Sequence, residues 1–323
     1  MTLASGQKKD KLDRLSELAA VRDDEQGVSL WRDAFRRLRR NPAAIVGAAI
    51  LLLFVLVAIV GPFLVPYDPA AQIGVQQGVV RSGAGIIPGP SSDHWLGYDH
   101  QGRDEFSRLI AGSRQTLIVG VVSTVIGLTV GVLLGGLSGA AAGLGGRWGR
   151  WVDNVLMRIV DMLLSVPSLL LAVSFAAILG PSPATVMIAV GAVSVPVFAR
   201  LLRGSMIAQA NRDYVLAATS LGVGRGRIAI SHVVPNSLAP VIVQATLTLA
   251  TAIIEVAALS FLGLGSQVLG QPEWGLMLAE AQRYLGVRPA LAIYPAVAII
   301  ITAFGFTLLG EAMREALDPK LRK

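Results

Sequence analysis

The sequence predicts an all-α polytopic membrane protein of about six transmembrane helices, with both termini on the cytoplasmic side. Three observations carry this. Of 323 residues, 53% are of hydrophobic types and only 15% are charged, whereas a soluble domain carries about 25% charge. Six apolar stretches reach the ~20 residues that a helix needs to cross a hydrocarbon core of ~30 Å. Lysine and arginine concentrate in alternate connecting segments, which orients the chain.

In chain order, residues 1–28 form a polar tail without the apolar run of a cleaved leader. Residues 29–41 form an interfacial amphipathic helix. Trp31, Phe35 and Leu38 recur there at helical spacing, with arginines on the other face. Asn41-Pro42 ends it and opens span one at 42–65. Residues 66–115 form an extracytoplasmic loop. Its front half is rich in Gly, Pro and Ser. In its back half Asp104 and Glu105 suit a helix start, and Phe106, Leu109 and Ile110 share a face.

The core at 116–312 holds the other spans, at about Thr116–Ala140, Val155–Leu179, Ala184–Leu202, Leu238–Leu264 and Ala290–Gly310. Pro167, Pro196 and Pro295 predict kinks in spans three, four and six. The second external loop holds a short helix around Trp274–Tyr284, and 313–323 is a cytoplasmic tail. Gly127, Gly131, Gly135, Gly139 and Gly143 recur every fourth residue of span two, a pattern that lets helix backbones approach closely. The contact is equally well made within the chain or with a partner subunit.

Orientation follows from Arg32–Arg40, Arg147, Arg150, Arg158, Arg200, Arg203, Arg212, Arg225, Arg227 and Arg314 on one side. Fewer basic residues lie opposite: Arg81, Arg103, Arg108, Arg114, Arg283 and Arg288. The richer side is cytoplasmic.

Several chemistries are excluded. The net charge of +7 sits in tails and short loops around apolar runs, a placement that does not suit nucleic acid. Without cysteine there is no disulfide, zinc-thiolate site or cysteine nucleophile. Gly136-Leu137-Ser138-Gly139 spells a GxSG string, but His94, His100 and His232 all fall in loops, so that serine has no base. All lysines lie near the two ends, which leaves none for a P-loop, so this chain cannot hydrolyse ATP by a Walker mechanism. Two acids fall inside apolar runs, Asp161 and Glu255, as candidate path or structural groups. Asp161 is expected to pair with Arg158, one turn earlier, whereas Glu255 has no local partner. The rival class they support is an ion-coupled secondary carrier, although no internal repeat of the carrier kind is found.

The loop at 204–236 is too long and too apolar for a simple connector. Its pattern predicts a short helix over Asp213–Leu221 stopped by Gly222. A second short helix follows over Arg225–His232, and Pro235 starts span five. The spacing of Ala217, Ala218, Gly222 and Pro235 resembles the EAA motif of ABC-importer permeases. It departs at Leu216 (for glutamate), His232 (for isoleucine) and Val234 (for leucine). Further segments are similar to the C-type permease subunit of dipeptide, oligopeptide and nickel importers. They are RRNPAAIVGAAILLLFVLVAIVGPFLVPYDP at 39–69, HWLGYDHQGRDEFSRLIAGSR at 94–114, EVAALSFLGLG at 255–265, WGLML at 274–278 and DPKLR at 318–322.

The resemblance implies a type I ABC-importer permease in the plasma membrane. It implies a second homologous permease that completes the translocation path, and two ABC ATPase subunits that carry the ATP and Mg, this chain binding no cofactor. An extracytoplasmic solute-binding protein would deliver the substrate. It assigns Tyr214, Leu216, Ala217, Ala218, Gly222, His232 and Pro235 to ATPase coupling. It makes short peptides the first expectation for substrate, with nickel chelates or haem as alternatives.

Overall fold

The computed structural model describes residues 30–80, 87–265 and 271–317. The predicted tail at 1–28 and the end of the other tail, 318–323, lie outside them. All regular structure among the described residues is helical, apart from one isolated bridge between Tyr98 and Asp104.

Helix α1 (Leu30–Leu38) is separated from α2 (Pro42–Leu64) by a turn. Asn41 caps α2, its Oδ1 accepting from the Ala43 and Ala44 amides. That side chain satisfies donors the first helical turn leaves orphaned. The Asn41 amide also donates to Glu315, 3.1 Å away near the end of the last helix, α12 (Ala290–Leu317). On α2 the buried positions Ala44, Gly47, Leu51, Ala58 and Gly61 form one stripe. Leu52, Leu53, Ile59 and Phe63 lie on the exposed side, as expected of a helix bathed in lipid.

After the short α3 (Ile73–Gln76), helix α4 runs from Glu105 to Leu144. Forty residues extend about 60 Å, twice the hydrocarbon core. The sequence divided this segment into a loop helix and a span beginning at Thr116. The structure makes it continuous because nothing between Asp104, which caps it through the Ser107 amide, and Gly145 breaks the helical ladder. The remaining elements are α5 (Gly146–Leu164), α6 (Ser168–Leu179), α7 (Pro183–Ala210), α8 (Asp213–Ser220), α9 (Arg225–Ile228), α10 (Val234–Phe261) and α11 (Trp274–Ala281). A one-turn 3-10 helix (Gln282–Tyr284) follows α11.

Two expectations are corrected. Span three is not one kinked helix, since α5 and α6 meet at 93° across Ser165–Pro167. Proline offers no amide to continue the ladder and pushes its predecessor out of the helical region. Among the described residues, five helices are therefore long and apolar enough to cross a bilayer, and six if this bent pair is one span. Pro196 and Pro295, by contrast, lie inside unbroken helices. Finally, the second short helix of the loop at 204–236 is not separate from span five. Helix runs without interruption from Arg225 to Phe261, through a π-helical turn at Ala229–Val233. That wide turn directly precedes Pro235, where a regular helix would press the proline ring against the Ser231 carbonyl.

The glycine stripe of α4 faces α7 of the same chain. A β-carbon on Gly127 would lie 2.6 Å from Ser194 Cβ, and one on Gly131 would lie 2.5 Å from Phe198 Cβ and 2.8 Å from the Val195 carbonyl. Gly135 abuts the Ala199 backbone, Gly139 meets Met206, and Gly143 meets Ala210. Of the two contacts left open by the sequence, the intrachain one is made. Gly131→Leu should cost about 1–3 kcal/mol through overpacking. It should lower the thermal midpoint of the detergent-solubilised protein, whereas Gly204→Ala, which meets open space, should leave the midpoint unchanged.

Candidate functional site

Three regions hold the candidate functional residues and the polar groups around them. The first is the protrusion around α8. Val215 is buried with Phe198, Leu202 and Met206 of α7, Ile228 of α9, Val233 of the π turn and Val241 of α10, and Ala218 packs on the same cluster. The helix ends in a Schellman motif. The Val223 amide donates to the Ala218 carbonyl at 3.1 Å and the Gly222 amide to the Thr219 carbonyl at 3.0 Å. Gly222 has φ +78° and its α-carbon faces open space, a conformation costly for any residue with a β-carbon. Leu216 and Leu221 are 62% and 83% exposed, with Ala217 and Ser220 beside them.

The other predicted coupling residues lie around this face. The Tyr214 hydroxyl donates to Gln209 Oε1 at 3.1 Å. His232 and Pro235 are exposed on the adjoining turn, where the Asn236 side chain donates to the His232 carbonyl. The structure thus gathers all seven predicted residues into one protrusion, with Val215 as its anchor.

The second region is the break between α5 and α6. Met157 and Val160 of α5 pack on Ala199 of α7, and Ala172 and Ala176 of α6 pack with Val190 of α7 and Ala252 and Val256 of α10. The break therefore lies beside the middle of α7, at membrane depth. Residues 164–170 are exposed apart from this packing. Irregular backbone at that depth is tolerated only against protein or along a watery cavity. Just below lies a groove of about 620 Å³ lined by Leu164, Val197, Arg200, Leu201, Gly204, Ser205, Pro240 and Gln244.

Asp161 does not pair with Arg158 as expected. It forms an ion pair with Arg200 across from α5 to α7, where the two helices are packed together. Glu255, without a partner in the sequence pattern, accepts a hydrogen bond from Ser168 at the start of α6. Sequence reasoning missed a third acid, Asp153. Its carboxylate binds Arg203 through two contacts, at 2.5 and 2.7 Å, and accepts from Ser138. The only available signal was an acid on the otherwise apolar buried face of α5.

The third region caps the outer end of α4. Arg103 binds Asp99 and Glu280, and Arg108 reaches Glu280 at 2.7 Å, so one ionic cluster ties the first external loop to α11. His94 Nδ1 lies 2.8 Å from Asp104 Oδ1, and its ring stacks between Tyr67 and Tyr98. Burial holds the His100 imidazole below its usual range despite the pull of Asp99 and Glu280. Asp99, His100 and Glu280 bring donor atoms within 4.8 Å of one another. Both carboxylates are already neutralised by arginines, so the set is balanced without a cation. Trp274 donates through its indole to the Leu109 carbonyl at 2.9 Å and meets Phe54 edge-on.

Beside it, buried Glu273 accepts from Ser260 at 2.7 Å, and burial raises its carboxyl to about 7. Between pH about 4.5 and about 7 the folded protein keeps this proton while an unfolded chain loses it, so stability falls as pH rises through that window. The thermal midpoint should be higher at pH 5 than at pH 8, and Glu273→Gln should remove that component of the difference.

Residues 116–323 match the family described as "Binding-protein-dependent transport system inner membrane component". Residues 29–78 match "N-terminal TM domain of oligopeptide transport permease C". The chain is 41% identical over 300 residues to the dipeptide transport system permease protein of Alkalihalophilus pseudofirmus, covering 93% of each chain. It is 38% identical over 308 residues to the glutathione transport system permease protein of Pectobacterium atrosepticum, covering 95% of this chain and 97% of that one. Among solved structures, a chain of the MetNI methionine ABC transporter shares the fold, with a TM-score of 0.52 at 20% identity, covering 65% of this chain and 96% of that one.

Proposed function

We propose a function on one premise: the chain belongs to the family of binding-protein-dependent transport system inner membrane components. It is a non-catalytic permease subunit of an ATP-driven importer of short peptides. A second homologous permease completes the path, two ABC ATPase subunits bind ATP and Mg beneath it, and a solute-binding protein delivers peptide from outside. Both termini face the cytoplasm. Short peptides are favoured over nickel chelates or haem because both curated relatives described above are named for peptide substrates, one for dipeptide and one for glutathione.

The observation that carries the coupling role is the exposed face of α8. Leu216, Ala217 and Leu221 stand clear of the chain, while Val215 fixes the same helix to α7 and α10. A docked ATPase would cover those apolar side chains, and the anchor would pass its movement to the spans. The residue at the motif's glutamate position, Leu216, makes that contact apolar.

In proteoliposomes holding the complete importer, Leu221→Glu and Gly222→Arg should each reduce ATP-driven peptide uptake at least about tenfold, the loss typical of a disrupted interface anchor. The chain should remain inserted in the membrane. Normal uptake by both variants would sink the coupling assignment. Because the native chain has no cysteine, single cysteines at Ser220 and Trp95 report sidedness directly. An impermeant maleimide should label the first only from the cytoplasmic side and the second only from outside.

A further inference from the structure

One charged cavity is explained neither by packing nor by coupling. It has a volume of about 310 Å³ and is lined by Asn154, Met157, Arg158, Asp161, Arg200 and Arg203. Its charges are unequally committed. Arg203 is held by Asp153 and Arg200 by Asp161, with both partners of the second pair about half exposed. Arg158 has no hydrogen bond or ion pair among the described residues and is exposed in this chain. One positive charge is therefore left over beside an ion pair that is open to exchange.

The placement of these groups indicates which surface they serve. On α5 the residues Asn154, Arg158, Asp161 and Ser165 follow one another at spacings of three and four, so they form a stripe along a single face. That stripe ends at the Ser165–Pro167 break. A separate stripe of the same helix, Trp151, Val155, Ile159 and Met162, is exposed and apolar. Arg200 lies between this cavity and the 620 Å³ groove and lines both. Charged side chains at membrane depth face a bundle interior or a watery cavity. The charged stripe therefore borders the path, and the apolar one faces lipid or protein.

We propose that Arg158 and Arg200 form a station for the C-terminal carboxylate of the transported peptide in the cytoplasmic half of the path. This rests on the peptide-permease reading above. Guanidinium groups bind carboxylates through two parallel hydrogen bonds. In the empty site Asp161 occupies Arg200, and an arriving carboxylate exchanges with it while Arg158 supplies the charge that Asp161 leaves unmatched. Because Asp161 competes for the same guanidinium, the peptide is held only transiently, as a transport path requires.

The test uses the complete nucleotide-free importer in nanodiscs without binding protein, so that the permease alone is probed. Alanyl-alanine and its C-terminal amide are titrated by saturation-transfer NMR. The free acid should bind at least about tenfold more tightly than the amide, as expected for a lost charge-assisted pair. Arg158→Gln combined with Arg200→Gln should bring the acid down to the level of the amide, and Arg158→Lys should retain part of the preference. Equal binding of acid and amide by the unaltered importer overturns the proposal. So does a preference that survives in the double variant. Should the double variant fail to assemble with its partner subunits, the acid–amide comparison on the unaltered importer still decides. Peptide uptake with binding protein present is measured separately. Its absence for every peptide would overturn the peptide reading itself, whereas uptake without any acid preference would overturn only the station.

Discussion

The backbones of α4 and α7 approach closely because Gly127, Gly131 and Gly135 put no β-carbon between them. The rest of the structure is assembled on that contact. The close approach brings Ser138 of α4 and Arg203 of α7 to the same Asp153, so that α5 is fixed to both helices at once. It also places Phe198, Leu202 and Met206 where α8 and α10 converge on them. A hydrocarbon solvent offers no hydrophobic drive for helices to associate, so close van der Waals contact and polar pairs must supply the affinity. Both means are concentrated along this pair of helices.

The same solvent makes each exception to regular helix informative. The Ser165–Pro167 break and the charged groups around Arg200 are costly in lipid unless they have partners or water. Within this chain Asp153 and Asp161 are paired, and Glu255 accepts from Ser168 across the break. Among the described residues nothing pairs with Arg158, and residues 164–170 are exposed. By contrast α2, with its uninterrupted apolar exterior, has no such features.

The spans and the loop that carries α8 were legible in the sequence because they depend on local rules. Hydropathy located the spans, Asn41 and Asp104 marked helix starts, and Gly222 marked a stop through the backbone conformation it alone adopts at low cost. What remained hidden depended on distant neighbours. The pairing of Asp161 with Arg200 joins residues 39 positions apart, so the nearer Arg158 was the natural choice. The union of Arg225–Phe261 into one helix depends on a π turn that no residue pattern announces. Pro167 breaks its helix while Pro196 does not, although both are prolines in apolar runs. Pro196 is buried among neighbours on α7, whereas Pro167 sits in the exposed stretch where nothing holds a helix together.

That contrast bears on how movement crosses the membrane. Helix from Arg225 to Phe261 extends about 55 Å as one element, and its N-terminal end shares a core with α8 and α7. A force applied to α8 therefore acts on two long helices at once, α7 and the Arg225–Phe261 helix. The regular α-helical ladder is departed from at the π turn at Ala229–Val233 and at the α5–α6 break. The first lies beside the protrusion and the second beside the charged groove. Fewer regular hydrogen bonds oppose displacement at those two points than along the helices between them, and the Arg200–Asp161 pair adjoins the second of them.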